Sequence, residues 1–213
     1  LVIVLGDQLD LQSSAFDGFD PAQDAVWMAE VAEESTHIWS SKQRIALFLA
    51  AMRHFAQALR DAGYPLHYTR LDQADNRGSL AAELQIAIEK LAPRAGVISG
   101  AGDFRVYKSI QTVAKQSGVP LDVREDRHFY ATVRQFATHA QGRKSLRMEY
   151  FYRAMRRRHG VLMDGDQPTG GQWNFDEDNR EAFGKTGPGS VPARTTFAPD
   201  ATTQQVIALV NTR

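Results

Sequence analysis

What most constrains this chain is its rhythm: short aliphatic runs take turns with segments of helical period. LVIVL (Leu1–Leu5) is stopped by Gly6, and DAVWMAEV (Asp24–Val31) repeats the pattern, so both read as buried strands. Within Ser41–Gly63, Ile45, Phe48, Met52, Phe55 and Leu59 recur every three or four residues, which predicts a helix capped by Gly63. Tyr64–Leu71 follows as a third strand, with Pro65 near its start, where a missing N–H is tolerated. Ser79–Leu91 reads as a second helix, Ala95–Gly100 as a fourth strand, Phe104–Gln116 as a third helix and Val119–Glu125 as a fifth strand. Strands joined through helices lie parallel, with helices on both faces. Right-handed crossovers then give an α/β fold, a Rossmann-like doubly wound sheet of five parallel strands, over residues 1–127.

Beyond the sheet, Val133–Gly142 and Ser145–His159 read as two further helices, making residues 128–160 a helical segment. Leu162–Pro199 is rich in Gly, Pro, Asp and Thr and lacks periodicity, the mark of an extended linker. A last helix begins near Thr202 and meets no stop signal before Arg213, so the chain reads as cut there.

Charge is balanced in total, with 25 Lys and Arg against 25 Asp and Glu, but unevenly spread. No Lys or Arg precedes Lys42, whereas RKSLRMEYFYRAMRRRHG (Arg143–Gly160) carries seven of them and one acid. Such asymmetry suits a polyanion or an acidic surface of another domain. Met148, Phe151, Tyr152 and Met155 fall at i, i+3, i+4 and i+7, an apolar stripe, while Arg156, Arg157 and Arg158 crowd the helix end that the macrodipole favours for cations. The basic face is then either simply solvated or paired with phosphates, which planar guanidinium groups bind two at a time.

Several function classes are excluded or disfavoured. No run approaches the roughly 18 apolar residues of a membrane span, and LVIVLG lacks the basic flank of a signal peptide. The absence of cysteine removes disulfides and thiolate metal sites from these residues and is compatible with a cytoplasmic protein. Neither G-x-G-x-x-G after the first strand nor a P-loop motif occurs, and no G-x-S-x-G. The six histidines are scattered without ligand spacing, and Asp164-Gly165-Asp166 reads as a turn. In a doubly wound fold, ligands sit beyond the carboxyl ends of the strands, which here means Gly6-Asp7-Gln8, Glu30–His37 and Gly100–Arg105. Asp7 and Gln8 suit a polar heterocycle or a sugar alcohol; equally, Asp7 can serve only to cap a turn.

LVIVLGDQL, AEVAEEST, KQRIALFLAAMRHFAQALRDAGY and, above all, GRKSLRMEYFYRAMRRRHGVLMDGDQPTGGQWNFDEDNR carry a resemblance that covers essentially the whole chain. They resemble the photolyase-related proteins of bacteria, the iron–sulfur bacterial cryptochromes and (6-4) photolyases. That resemblance implies the antenna portion of a flavoprotein roughly double this length. Its α/β domain would take 6,7-dimethyl-8-ribityllumazine, while FAD and a 4Fe–4S cluster would belong to a helical C-terminal domain that acts on damaged DNA. Residues 161–213 would then be linker and the start of that helical domain. By the same resemblance, Gly6, Asp7, Gln8, Glu30, Glu34, His37, Phe48, Gly102 and Asp103 match the pigment pocket, with no catalytic residue and no metal ligand in this chain. Arg143, Lys144, Arg147, Arg153, Arg156 and Arg157 would face DNA or the FAD domain. Two departures bear on the pocket: His37 stands where relatives often carry Tyr, and Phe48 where they often carry a smaller aliphatic residue. A bulkier ring can fill a preformed cavity and exclude its ligand. Rival readings are a signalling cryptochrome and a standalone Rossmann-like nucleotide-binding enzyme. A patch around Tyr150–Tyr152, bared in the fragment, would favour self-association.

Overall fold

The computed structural model describes residues 1–177, 180 and 182–212; Asp178, Asn179, Glu181 and Arg213 lie outside the described residues. The chain falls into two units, Leu1–His128 together with Pro199–Arg213, and Phe129–Ala198.

In the first unit, strands β1 (Val2–Ile3), β2 (Val26–Ala29), β3 (Leu66–Thr69), β4 (Gly96–Ser99) and β5 (Leu121–Arg124) form one parallel sheet in the order β3-β2-β1-β4-β5. The ladders are shorter than the aliphatic runs. Val4 and Leu5 nevertheless stay buried, and the Val4 N–H donates to the Trp27 carbonyl at 3.0 Å. Connections are filled by helices α1 (Ala32–Thr36), α2 (Lys42–Asp61), α3 (Leu80–Leu91) and α4 (Phe104–Gln116). Successive strand residues point to opposite faces, so β1, β2 and β4 each feed two cores. Val2, Val4, Val26 and Met28 pack with Met52, Phe55 and Leu59 of α2. Ile3, Leu5, Trp27 and Ile98 pack with Leu84 and Ile88 of α3 and Val106 and Ile110 of α4.

The β1–β2 connection contains no α-helix. Between Val4 and Ala25 the regular structure is a 3-10 turn at Ser14–Phe16. Phe16 takes the place of a helix in the α2-side core, its ring 5.5 Å from that of Tyr64. The loop is tied to β5 and the residue beyond it, whose carbonyl it satisfies and whose neighbour Arg124 satisfies loop carbonyls. Ser14 Oγ donates to the Glu125 carbonyl at 2.7 Å, and Arg124 Nη1 donates to the carbonyls of Ser14 and Asp17 at 2.7 and 2.8 Å.

The last helix is α7 (Ala201–Asn211). It lies along α2, with Val206 and Val210 buried in the same core as Val2, Val26 and Met28. Asp200 caps it, one oxygen accepting from the Thr203 N–H at 2.8 Å and the other 2.6 Å from Nε2 of His54 on α2. Val206→Asp should release it, because an unpaired carboxylate cannot stay in that core. The expected result is loss of amide-exchange protection across residues 201–211 with the sheet still protected. Unchanged protection there would show that α7 does not depend on this anchor.

The second unit contains α5 (Val133–Ala140), α6 (Met148–His159) and a hairpin of β6 (Met163–Asp164) and β7 (Gln167–Pro168). Thr132 and Gln135 form a reciprocal capping box on α5. Gly160 ends α6 at φ 64°, a left-handed position that glycine takes without strain. Phe136 and Phe151 meet edge to face at 5.1 Å and join the two helices. The apolar stripe predicted on α6 is not a buried seam in this unit. Of the stripe, Met148 is 70% exposed and Tyr152 about half, while Phe151 and Met155 are half-buried; Tyr150 beside it is also about half exposed, and the buried residue of α6 is a cation, Arg156. Its guanidinium donates to the carbonyls of Val161 at 3.1 Å, Trp173 at 3.4 Å and Leu162. With those aromatics bare, sedimentation of this chain at rising concentration should show self-association, reduced in a Tyr150→Ser/Tyr152→Ser variant. A monomer at every concentration would remove that role for the patch. No helix among the described residues is long and apolar enough to cross a membrane.

Candidate functional site

Strand order reverses at β1 and β4, and a doubly wound sheet leaves its crevice at the carboxyl ends of such a pair. A cleft of about 800 Å³ opens there. It is lined by the exit of β1, the loop after β2, the α1–α2 turn, the first turns of α2 and the start of α4. Of the residues expected at the pocket, Gly6, Asp7, Glu30, Glu34, His37, Phe48, Gly102 and Asp103 line this cleft, and Gln8 does not.

Backbone geometry explains the glycines. A Cβ on Gly6 would come within 3.0 Å of Met52 Sδ, so β1 leaves the sheet past α2 because residue 6 has no side chain. A Cβ on Gly102 would stand 3.4 Å from Asp7 Oδ2, which places the Asp7 carboxylate directly beside that turn. Burial raises the Asp7 carboxyl above its ordinary range; a bond from its own backbone opposes this, and the charges of Asp103 and Asp126 add to it. Asp103 caps α4, accepting from the N–H groups of Arg105 at 2.7 Å and Val106 at 3.3 Å. Arg105 Nη2 reaches both carboxylate oxygens of Glu34 at 2.8 Å, tying α4 to α1 across the cleft.

Two of the expected pocket residues are tied into the protein. Gln8 turns inward, its Nε2 donating to the carbonyls of Ser99 and Gly100 at 3.1 and 3.0 Å, which fastens β1's exit to β4, while its Oε1 is buried with no hydrogen-bond partner among the described residues. Glu30, 1% exposed, is saturated by protein. It accepts from Arg53 Nε at 2.7 Å, Arg53 Nη2 at 2.9 Å, the Tyr68 hydroxyl at 2.5 Å and the Leu71 N–H at 2.9 Å. The Tyr68 hydroxyl is correspondingly held far above its usual range, by burial first and by the Glu30 charge second. Glu30 therefore builds the wall of the cleft and has no oxygen to spare for a ligand.

Phe48 lines the cleft without filling it and remains 39% exposed, with the Arg44 guanidinium 5.6 Å over its ring. His37 ends α1 on the rim, its N–H donating to the Glu33 carbonyl at 2.8 Å. Sequence reasoning missed Trp39 and Arg44, and reached Phe104 only as part of the Gly100–Arg105 segment. Trp39 is 99% exposed on the α1–α2 turn, beside Ile38 at 72%. Its signal was an apolar pair inside the polar stretch EESTHIWSSK, where no core periodicity asks for one.

The basic residues separate by role. Arg156 is buried structure, as described above. Arg153 pairs with Glu149 one turn back on α6 and lies 5.2 Å from the Trp173 ring. Arg157 stacks on the same ring at 4.6 Å. Arg143 Nε donates to the His139 carbonyl at 2.6 Å. Lys144 and Arg147 are exposed at the turn before α6.

Fold and cleft together define an α/β domain of the doubly wound type with an open cleft at its switch point. The model of the deoxyribodipyrimidine photo-lyase-related protein family matches residues 2–213, and the chain belongs to that family. It is similar to a (6-4) photolyase of Agrobacterium fabrum, 44% identical over 211 residues, covering 99% of this chain and 41% of that protein. The chain thus spans about two fifths of the length of the curated relative it matches.

Proposed function

We propose that this chain is the light-harvesting portion of a longer flavoprotein that repairs UV-damaged DNA, and that its cleft takes 6,7-dimethyl-8-ribityllumazine. The observation that carries this reading is the cleft itself, which stays open beside Phe48. Its chemistry fits the pigment. Phe48, Ile38 and Trp39 offer apolar walls to a planar ring, and the carboxylates of Asp7 and Asp103 can accept from ribityl hydroxyls. The Nε of Arg105 is shielded from solvent without an acceptor and can serve a ring carbonyl. When bound, the pigment would absorb blue or near-UV light and pass the excitation to FAD in the remainder of the protein, where the iron–sulfur cluster would also lie. This chain's residues would hold the pigment, shield it and fix its orientation, and would make or break no bond.

The lining also argues against a nucleotide. Asp7, Glu34 and Asp103 outnumber Arg44 and Arg105, and Arg105 is already answered by Glu34 with Asp103 nearby, which leaves Arg44 alone of the cleft's two arginines for a phosphate tail. The test is the absorption spectrum of the freshly purified chain, with mass spectrometry of what denaturation releases and calorimetry with added lumazine and with ATP. Released or stoichiometrically bound ribityllumazine supports the antenna reading. A colourless chain that ignores lumazine but binds ATP saturably would replace it with the nucleotide-handling one. A signalling cryptochrome would share the antenna step; repair of a (6-4) lesion by the complete protein separates the two.

A further inference from the structure

A second cavity, of about 430 Å³, lies within Phe129–Ala198, where the end of α5 meets α6. Its lining is almost entirely hydrogen-bond donors: His139, Arg143, Tyr150, Arg153 and Arg157. We propose that this cavity is a seat for one phosphate group, with Arg143 and Arg157 as its fork. The proposal is independent of the antenna reading, since it shares neither residues nor structural unit with the cleft.

The argument is one of fixed but unfinished donors. Arg143 is held through Nε alone, by the 2.6 Å bond to the His139 carbonyl, which leaves both of its terminal nitrogens free to donate. Arg157 is held by its face, 4.6 Å over the Trp173 ring, and makes no hydrogen bond among the described residues. Stacking occupies the plane of a guanidinium and leaves its N–H edge available. Arg153 is only partly satisfied: Glu149 takes Nη2, while Nε is shielded from solvent with no acceptor. Arg143 and Arg157 are therefore oriented by the protein with no carboxylate partner among the described residues, and Arg153, paired with Glu149, keeps one nitrogen unanswered.

Charge points the same way. Arg153, Arg156 and Arg157 surround one indole at 5.2, 5.3 and 4.6 Å, and Arg143 joins Arg153 and Arg157 at the cavity wall. Arg156 is consumed by carbonyls and Glu149 answers one of the others, so positive charge is left over at the cavity. Gathering like charges is costly unless an anion arrives. A tetrahedral phosphate fits better than a carboxylate, because donors approach from α5, from the turn before α6 and from α6 itself. Three acceptor oxygens use such a set more fully than two. The phosphate can belong to a nucleic-acid backbone or be a free ion.

The test uses the whole 213-residue chain. Arginine side-chain resonances would be followed by NMR during titration with inorganic phosphate, with acetate and chloride at matched ionic strength as controls. The expected result is saturable shifts of Arg143 and Arg157 with phosphate alone. Affinity should fall about tenfold or more in Arg157→Gln and Arg143→Gln, and stay unchanged in Arg158→Gln, whose residue lies outside the cavity. Rescue by Arg157→Lys should be partial, since lysine keeps the charge and loses the fork. Anisotropy with a labelled DNA duplex then identifies the source. If Arg143→Gln and Arg157→Gln weaken DNA binding while Arg158→Gln does not, the seat takes a backbone phosphate. If they weaken phosphate binding and leave DNA untouched, it takes a free ion. Equal shifts with acetate, or equal losses in all three glutamine variants, would overturn the seat and leave only diffuse positive charge.

Discussion

Glu30→Ala should lose about 3–5 kcal/mol of stability, because it strands a buried cation. The side chains of Glu30 and Arg53 are 0% and 5% exposed, so water cannot replace what the substitution removes. Besides the guanidinium, the Tyr68 hydroxyl and the Leu71 N–H lose their acceptor. Asp72, 3.4 Å from Arg53 and half open to solvent, offers only weak compensation. The thermal midpoint of the sheet unit should fall on the order of 10 °C. A paired replacement, Glu30→Leu with Arg53→Met, should recover most of the loss, since removing both charges also removes their desolvation cost. Chemical denaturation followed by circular dichroism checks both. If Glu30→Ala lies within about 1 kcal/mol of the parent, the network is not the keystone that its geometry implies.

The same network marks the limit of what the sequence could say. Hydrophobic period is visible in a sequence because it repeats, so the strand runs, the long helix around Met52 and the doubly wound sheet were legible. Partnership is not visible. Glu30, Gln8 and Arg156 were each read as facing a ligand or a partner because they are polar residues in the right loops or runs. Glu30 and Arg156 instead spend their hydrogen bonds on backbone or on a buried opposite charge, and Gln8 spends its amide N–H groups on backbone while its Oε1 stays without a partner among the described residues; Arg53, Ser99 and Trp173, distant in sequence, decide this. The β1–β2 crossover was silent because Phe16, Phe19 and Tyr64 fill the core without any helical period. Helix α7 was legible as a helix, but nothing local in ATTQQVIALVN says that Val206 seeks Val26 and Met28. Expecting a cleft at the strand ends succeeded for a different reason: topology, not side-chain identity, places it there.

Asp7 should make lumazine binding depend on pH, and this follows from its position beside the Gly102 turn. Its folded-state carboxyl lies above the ordinary value, chiefly through burial, so the charged form is disfavoured in the empty protein. For stability the sign is then fixed. The empty protein carries a penalty at pH above the raised folded value, and the penalty vanishes below the ordinary carboxylate value. Asp7→Asn should therefore stabilise the empty chain at neutral pH. Ligand binding should run the other way. As a carboxylate, Asp7 can accept from two ribityl or ring donors; once protonated it has less to accept with. Lumazine affinity should accordingly fall as pH drops through the raised value. Asp7→Asn should lose about tenfold in affinity at neutral pH, the worth of a hydrogen bond to a charged group, and should flatten the pH profile. Fluorescence titration across mildly acidic to neutral pH measures both quantities on one sample. A stabilised variant that binds as tightly as the parent, with an unchanged profile, would mean that the carboxylate only shapes the β1 exit. Stabilisation with weakened, pH-independent binding would make Asp7 a ligand-binding group that the empty protein tolerates at a cost.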